Sequence, residues 1–145
     1  MYTGTLVNGT DPFFNDYHSY DDIMAWMTNL AAQYPTVMDV QSFGKSYQGN
    51  DLKRARLTLG ARGVKPVIYW EGGIHAREWI AHATMCYMIS KLATLSTLDA
   101  TVEKLLNTYE FHIVPVVNPD GYEYTWDPKG DRMWLDFINL SPSCL

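Results

Sequence analysis

His75 and Glu78, three residues apart behind Gly72-Gly73, are a pair of side chains suited to holding a metal ion. Imidazole nitrogen and carboxylate oxygen both ligate zinc at about 2.0–2.2 Å. Positions three apart share one side of a helical turn, so both heads can reach one ion. The pair follows a short apolar run, Val67-Ile68-Tyr69-Trp70, and opens a long helical pattern. Glu78 is expected in the first turn of that helix, where the helix dipole favours an ionised carboxylate. Two glycines before the pair allow a sharp bend and a close backbone approach. A catalytic zinc takes three protein ligands and keeps one position open, so His75 and Glu78 would be part of such a site.

The elements around this pair have readable patterns. Ser19 followed by Asp22 resembles a capping box. Ile23, Trp26, Met27, Leu30 and Tyr34 then fall on one helical face that Pro35 terminates. Residues 37–43 and 52–59 read as strands of an antiparallel hairpin around a polar turn. The run 67–70, bounded by Pro66 and Gly72, suits a central strand covered on both faces. Residues 78–95 are apolar nearly all round and predict a helix packed deeply on the sheet. A short helix over 99–106 and a strand over 111–117 follow. Pro115 donates no ladder hydrogen bond, so that last strand is expected at an edge or irregular there. Helices alternating with apolar strands imply an α/β layered fold with ligands at the carboxyl ends of strands. His75 lies at such an end.

The chain has 145 residues, 47% hydrophobic and 14% aromatic, with a net charge of −5. That suits one packed globular unit and offers no basic patch for nucleic acid. No stretch of about 18 apolar residues suggests a membrane span. The N-terminus lacks a signal-peptide pattern. Cys86 falls within the apolar helix as a small core residue, Cys144 has no assigned partner, and the two define no disulfide framework. Asn8-Gly9-Thr10 and Asn139-Leu140-Ser141 fit the glycosylation sequon.

Three blocks, in order, carry a family resemblance. Gly73-Ile74-His75-Ala76-Arg77-Glu78-Trp79-Ile80 closely resembles the metal-binding segment of zinc carboxypeptidases of the pancreatic A/B type. Tyr17-His18-Ser19-Tyr20-Asp21-Asp22-Ile23 through Gly44-Lys45-Ser46-Tyr47-Gln48-Gly49 looks like the start of their catalytic domain. Val116-Val117-Asn118-Pro119-Asp120-Gly121-Tyr122 looks like their Asn-Pro-Asp-Gly strand-loop, and Arg132-Met133-Trp134 matches a family tripeptide. The resemblance divides the chain into an N-terminal extension (1–16), a partial catalytic domain (17–134) and a non-matching tail (135–145).

It implies a mixed central sheet flanked by helices, of which this chain supplies about the N-terminal half and so leaves an open sheet edge. It further implies zinc as cofactor, held by His75 and Glu78, and hydrolysis of the C-terminal peptide bond of peptides and proteins in an extracellular setting. Arg77 is then a cleft residue contacting bound peptide; otherwise it is a helix-start arginine paired with an acid. The third ligand, a histidine, lies beyond this chain in the family, as do the carboxylate-binding pair, the tyrosine lid and the glutamate base. Leu135 stands where the family carries an oxyanion-stabilising arginine. These differences predict a chain inactive on its own, with a noncatalytic peptide- or partner-binding module as the alternative. None of the other histidines is placed to complete the site: His112 reads as a partly exposed strand residue, His82 as a satisfied helix histidine two turns from His75, and His18 as part of an aromatic cluster.

Overall fold

The computed structural model describes residues 11–138; both sequons and Cys144 lie outside them. Helix α1, Tyr20–Gln33, begins where the Ser19 hydroxyl accepts a hydrogen bond from the Asp22 amide. Ile23, Trp26, Met27 and Leu30 are buried, as their spacing requires. Tyr34 closes the helix with its amide on the Leu30 carbonyl, one residue before Pro35.

Strands β1 (Met38–Lys45) and β2 (Asp51–Leu57) form the antiparallel hairpin. Strand β4 (Glu110–Val114) pairs antiparallel with β2 and parallel with β3 (Val67–Glu71), giving a mixed sheet in the order β1-β2-β4-β3. Parallel neighbours need a crossover, supplied by α2 (Trp79–Thr94) and α3 (Ala100–Thr108). The core joins Met27, Met38, Leu57, Ile89, Phe111 and Ile113 in one buried cluster, with α1 and α2 laid against the sheet.

Several expectations are corrected. Strand β3 is not a covered central strand: it ends the four-stranded sheet, and Val67 and Tyr69 are each 52% exposed. Among the described residues β4 is its one strand partner, and the interior place falls to β4, which is nearly all buried. That strand stops at Val114, so Pro115 lies just past its end and forces neither an edge position nor an irregular ladder. Helix α2 buries one face rather than all round. Cys86 and Ile89 point inward, while Ile80 and Tyr87 are exposed because the sheet and α1 cover one flank. The Asn-Pro-Asp-Gly segment is not a loop but the start of α4, Pro119–Trp126. Asn118 caps it by accepting from the Gly121 amide at 3.0 Å, and Pro119, with no amide hydrogen to satisfy, suits the first helical position.

Asp120, 5% exposed, ties α4 to the β1–β2 loop. Its carboxylate accepts from Ser46 Oγ (2.5 Å), Gln48 N (3.0 Å) and Asn50 Nδ2 (3.0 Å). Across the sheet, Arg56 forks onto Asp39 at 3.0 and 2.5 Å, and the Glu110 carboxylate takes His112 Nε2 at 2.7 Å and the Gly63 amide at 2.6 Å. Burial alone would raise the Glu110 carboxyl; the Gly63 amide, His112 and Arg56 outweigh it and hold it below the usual range.

His82 is buried at 1% exposure, its ring stacked 4.0 Å from that of Tyr122. Nδ1 lies 3.1 Å from the Glu78 carbonyl, but Nε2 has no hydrogen-bond partner among the described residues. It is therefore only half satisfied, because burial leaves Nε2 facing Gly73 instead of solvent. Burial pushes its pKa down to about 4, against the hydrogen bonds of the helix start.

Two stability tests follow from these buried groups. The unfolded chain takes up a proton at His82 near pH 6.5 that the folded chain refuses until about pH 4. Stability present above pH 6.5 is thus lost as pH falls through that window, by about 3 kcal/mol. In urea unfolding at pH 7 and pH 4.5, His82→Phe should show a flatter dependence than the parent; an equal slope would refute the buried neutral imidazole. Glu110→Gln should lower stability at pH 7 by about 1–3 kcal/mol. That gap should close as pH drops below the glutamate range, since a depressed carboxyl stabilises only while ionised.

Candidate metal centre

The segment between β3 and α2 is shaped by its main chain. Gly73 adopts φ +70, a conformation that strains any residue with a side chain, and a Cβ there would collide with the His82 ring. Residues 75–78 then form a tight turn closed by the Glu78 amide on the His75 carbonyl at 3.2 Å. Gly73 and Ala76 are buried, whereas His75, Arg77 and Glu78 are exposed. The buried anchors of the turn are thus the residues with the smallest side chains.

His75 and Glu78 are brought together as their spacing suggests. Nδ1 of His75 lies 3.3 Å from Oε2 of Glu78, and the side chains are 49% and 51% exposed. The route differs from the helical one expected. Glu78 is the N-cap residue of α2 and precedes the helix, and its side chain makes no capping hydrogen bond. The carboxylate is thereby left turned to His75. An imidazole nitrogen and a carboxylate oxygen this close, both open to solvent, suit a cation held between them, so the donor chemistry fits two positions of a zinc shell.

No third donor joins them: among the described residues no group of three or more His, Cys, Asp or Glu is arranged to hold a metal ion. His18 is occupied elsewhere, with Nε2 2.7 Å from the Phe13 carbonyl and its ring stacked on Phe13. His112 is engaged by Glu110. His82 backs the turn from inside and does not reach into it.

Arg77 is exposed and forms no ion pair among the described residues. Its carbonyl accepts from Arg132 Nη1 at 3.0 Å, and the Arg132 guanidinium lies 3.8 Å over the Trp79 ring, a cation–π arrangement. Trp79 in turn stacks on Trp126 at 4.3 Å and donates to Thr125 Oγ1 at 2.9 Å. Arg77 stands between the two exposed donors in sequence, and the Arg132 guanidinium is held against the main chain of the same turn.

The reading from sequence gave no role to Asn118. Its amide continues the hydrogen bonding of β4 onto Gly73, and its side chain reaches the Ile74 carbonyl beside His75. A signal was present: asparagine before proline, with glycine three residues on, at the end of an apolar strand.

Comparison with known proteins bears on this geometry. The family model described as zinc carboxypeptidase matches residues 23–137. Carboxypeptidase B of Astacus astacus is 41% identical over 121 residues, covering 83% of this chain and 38% of the relative. An inactive metallocarboxypeptidase of Saccharomyces cerevisiae is 35% identical over 130 residues, covering 88% and 30%. Among solved structures, thrombin-activatable fibrinolysis inhibitor superposes with a TM-score of 0.83 at 31% identity, over 92% of this chain and 33% of that one. The chain thus spans well under half the length of these relatives. With a family model running through the turn, the sheet and both flanking helices, this chain belongs to the zinc carboxypeptidase family.

Proposed function

We propose that this chain carries the first part of the metal centre of a zinc-dependent carboxypeptidase, with His75 and Glu78 as two zinc ligands and Arg77 on the rim of the substrate cleft. The observation that supports it most is the exposed Nδ1–Oε2 pair, 3.3 Å apart, at the carboxyl end of β3. When bound, zinc would polarise the scissile carbonyl and activate water for amide hydrolysis. Gly73 and Ala76 are the buried anchors of the turn from which His75 and Glu78 present their donors. Arg77 adds a cation beside them, free of any carboxylate partner among the described residues, that suits the carbonyl or carboxylate oxygens of a peptide C-terminus. In the complete protein the reaction would be removal of a C-terminal residue from peptides in an extracellular setting. Residues 17–134 would be the catalytic part, between an N-terminal extension and the tail at 135–145.

For the 145-residue chain alone, two donors and no assigned general base support binding without turnover. One relative bears the name of an inactive metallocarboxypeptidase, which favours a second reading, a noncatalytic module that holds peptide ends.

The metal assignment is checked by calorimetric titration with Zn2+. The chain should bind weakly and saturably, and His75→Ala or Glu78→Ala should each weaken binding at least tenfold. Binding indifferent to the double substitution would rule the assignment out. Turnover is assayed with a chromogenic peptide cleaved at its last residue. No chelator-sensitive release is expected from the chain alone, and any such release would establish that it is a competent enzyme as it stands.

A further inference from the structure

We propose that Asn118 is a positioning residue that sets the peptide plane carrying His75, and so the direction of the metal-binding turn. This rests on the reading of His75 and Glu78 as ligands. The parallel pairing of β3 and β4 ends at Glu71 opposite Val114. The hydrogen bonding continues past it: Gly72 N donates to Val114 O at 2.9 Å, Val117 N to Gly72 O at 3.0 Å and Asn118 N to Gly73 O at 3.1 Å. There the ladder runs out of backbone, and a side chain takes over. Asn118 Nδ2 donates to Ile74 O at 3.3 Å and to Asp136 O at 3.0 Å. Among the described residues no other side chain hydrogen-bonds the main chain of residues 72–76.

The amide is used completely. Oδ1 accepts from Gly121 N at 3.0 Å, the Asn118 carbonyl accepts from Tyr122 N at 3.0 Å, and the residue is 1% exposed. Its surroundings leave it one orientation. A Cβ on residue 121 would lie 2.5 Å from Nδ2 and 2.8 Å from Asp136 O, so the glycine of the Asn-Pro-Asp-Gly segment makes room for the bridge. Asp136 belongs to the segment whose neighbour Leu135 accepts from Ala76 N at 3.0 Å. Asn118 therefore ties three pieces to one point: the turn, the start of α4 and residues 135–136. Holding the Ile74 carbonyl fixes the peptide that leads into His75. Groups that orient metal ligands from outside the ligand set typically change metal affinity 10- to 100-fold when lost.

Asn118→Ser tests this, because serine keeps an oxygen to cap α4 while losing the donor to Ile74. Without metal, amide exchange at Ala76 should quicken at least tenfold while Ala55 and Ile113, in the β2–β4 ladder, keep their protection. Exchange that is unchanged, or that rises equally at all three sites, overturns the positioning role. In Co2+ titrations followed by the His75 ring NMR signals, the Kd should rise about 10- to 100-fold with an altered paramagnetic shift pattern. An unchanged Kd and shift pattern also overturns it. If parent and His75→Ala bind Co2+ alike, the ligand reading fails instead, and the Ala76 exchange still decides whether Asn118 holds the turn. Should Asn118→Ser not fold, Gly121→Ala, which crowds Nδ2 without removing it, must show the same local exchange.

Discussion

The fold at this site depends on satisfying a buried main chain at the point where a parallel ladder ends. Past Glu71 the chain must leave the sheet, turn and enter α2, and its amides and carbonyls can no longer be met by a strand. Residues 114–118 meet Gly72 and Gly73, Asn118 meets Ile74, and residue 135 meets Ala76. Each bond links parts distant in sequence, so the main chain of the turn is fully satisfied only with β4, the start of α4 and the segment after Trp134 in place. Gly73 answers the same constraint sterically, since its positive φ and its contact with the His82 ring leave no space for a side chain.

Fixing the backbone this way frees the exposed side chains from structural duty. His75, Arg77 and Glu78 contribute no side-chain hydrogen bond to any other part of the described fold apart from their mutual pair. The polar groups that do stabilise the molecule lie elsewhere: the Arg56–Asp39 fork, the buried Glu110 with His112 and Gly63, and Asp120 with the β1–β2 loop. Removing one partner from the buried Glu110 or Asp120 set leaves the others unsatisfied, which is where large stability losses arise.

Much of this was legible from residue types and spacing, and the exceptions have physical causes. Helix α1 and its Ser19 cap, the β1–β2 hairpin and the burial of Cys86 all follow from local patterns. The nearness of His75 to Glu78 was legible too, although a turn and not a helix provides it. The edge position of β3 was not, because an apolar run reads the same whether one or both of its flanks are paired. Nor was the one-sided burial of α2, since Ile80 and Tyr87 are apolar yet face away from the sheet. Asn-Pro-Asp-Gly suggests a turn by composition, and its helix appears only once Asn118 is recognised as a cap with proline at the first helical position. His82 Nε2, without a partner among the described residues, lies against Gly73, nine residues earlier, through packing that periodicity does not encode.

Scaffold and exposed side chains are energetically separable in this turn. Substituting an exposed side chain with no buried partner usually changes stability by less than about 0.5 kcal/mol. Loss of His75 or Glu78 would therefore leave the turn, the sheet and α2 nearly as stable as before, whereas loss of Gly73, Gly121 or Asn118 would deform the support itself. The exposed heads of His75, Arg77 and Glu78 are positioned by the fold but not needed by it.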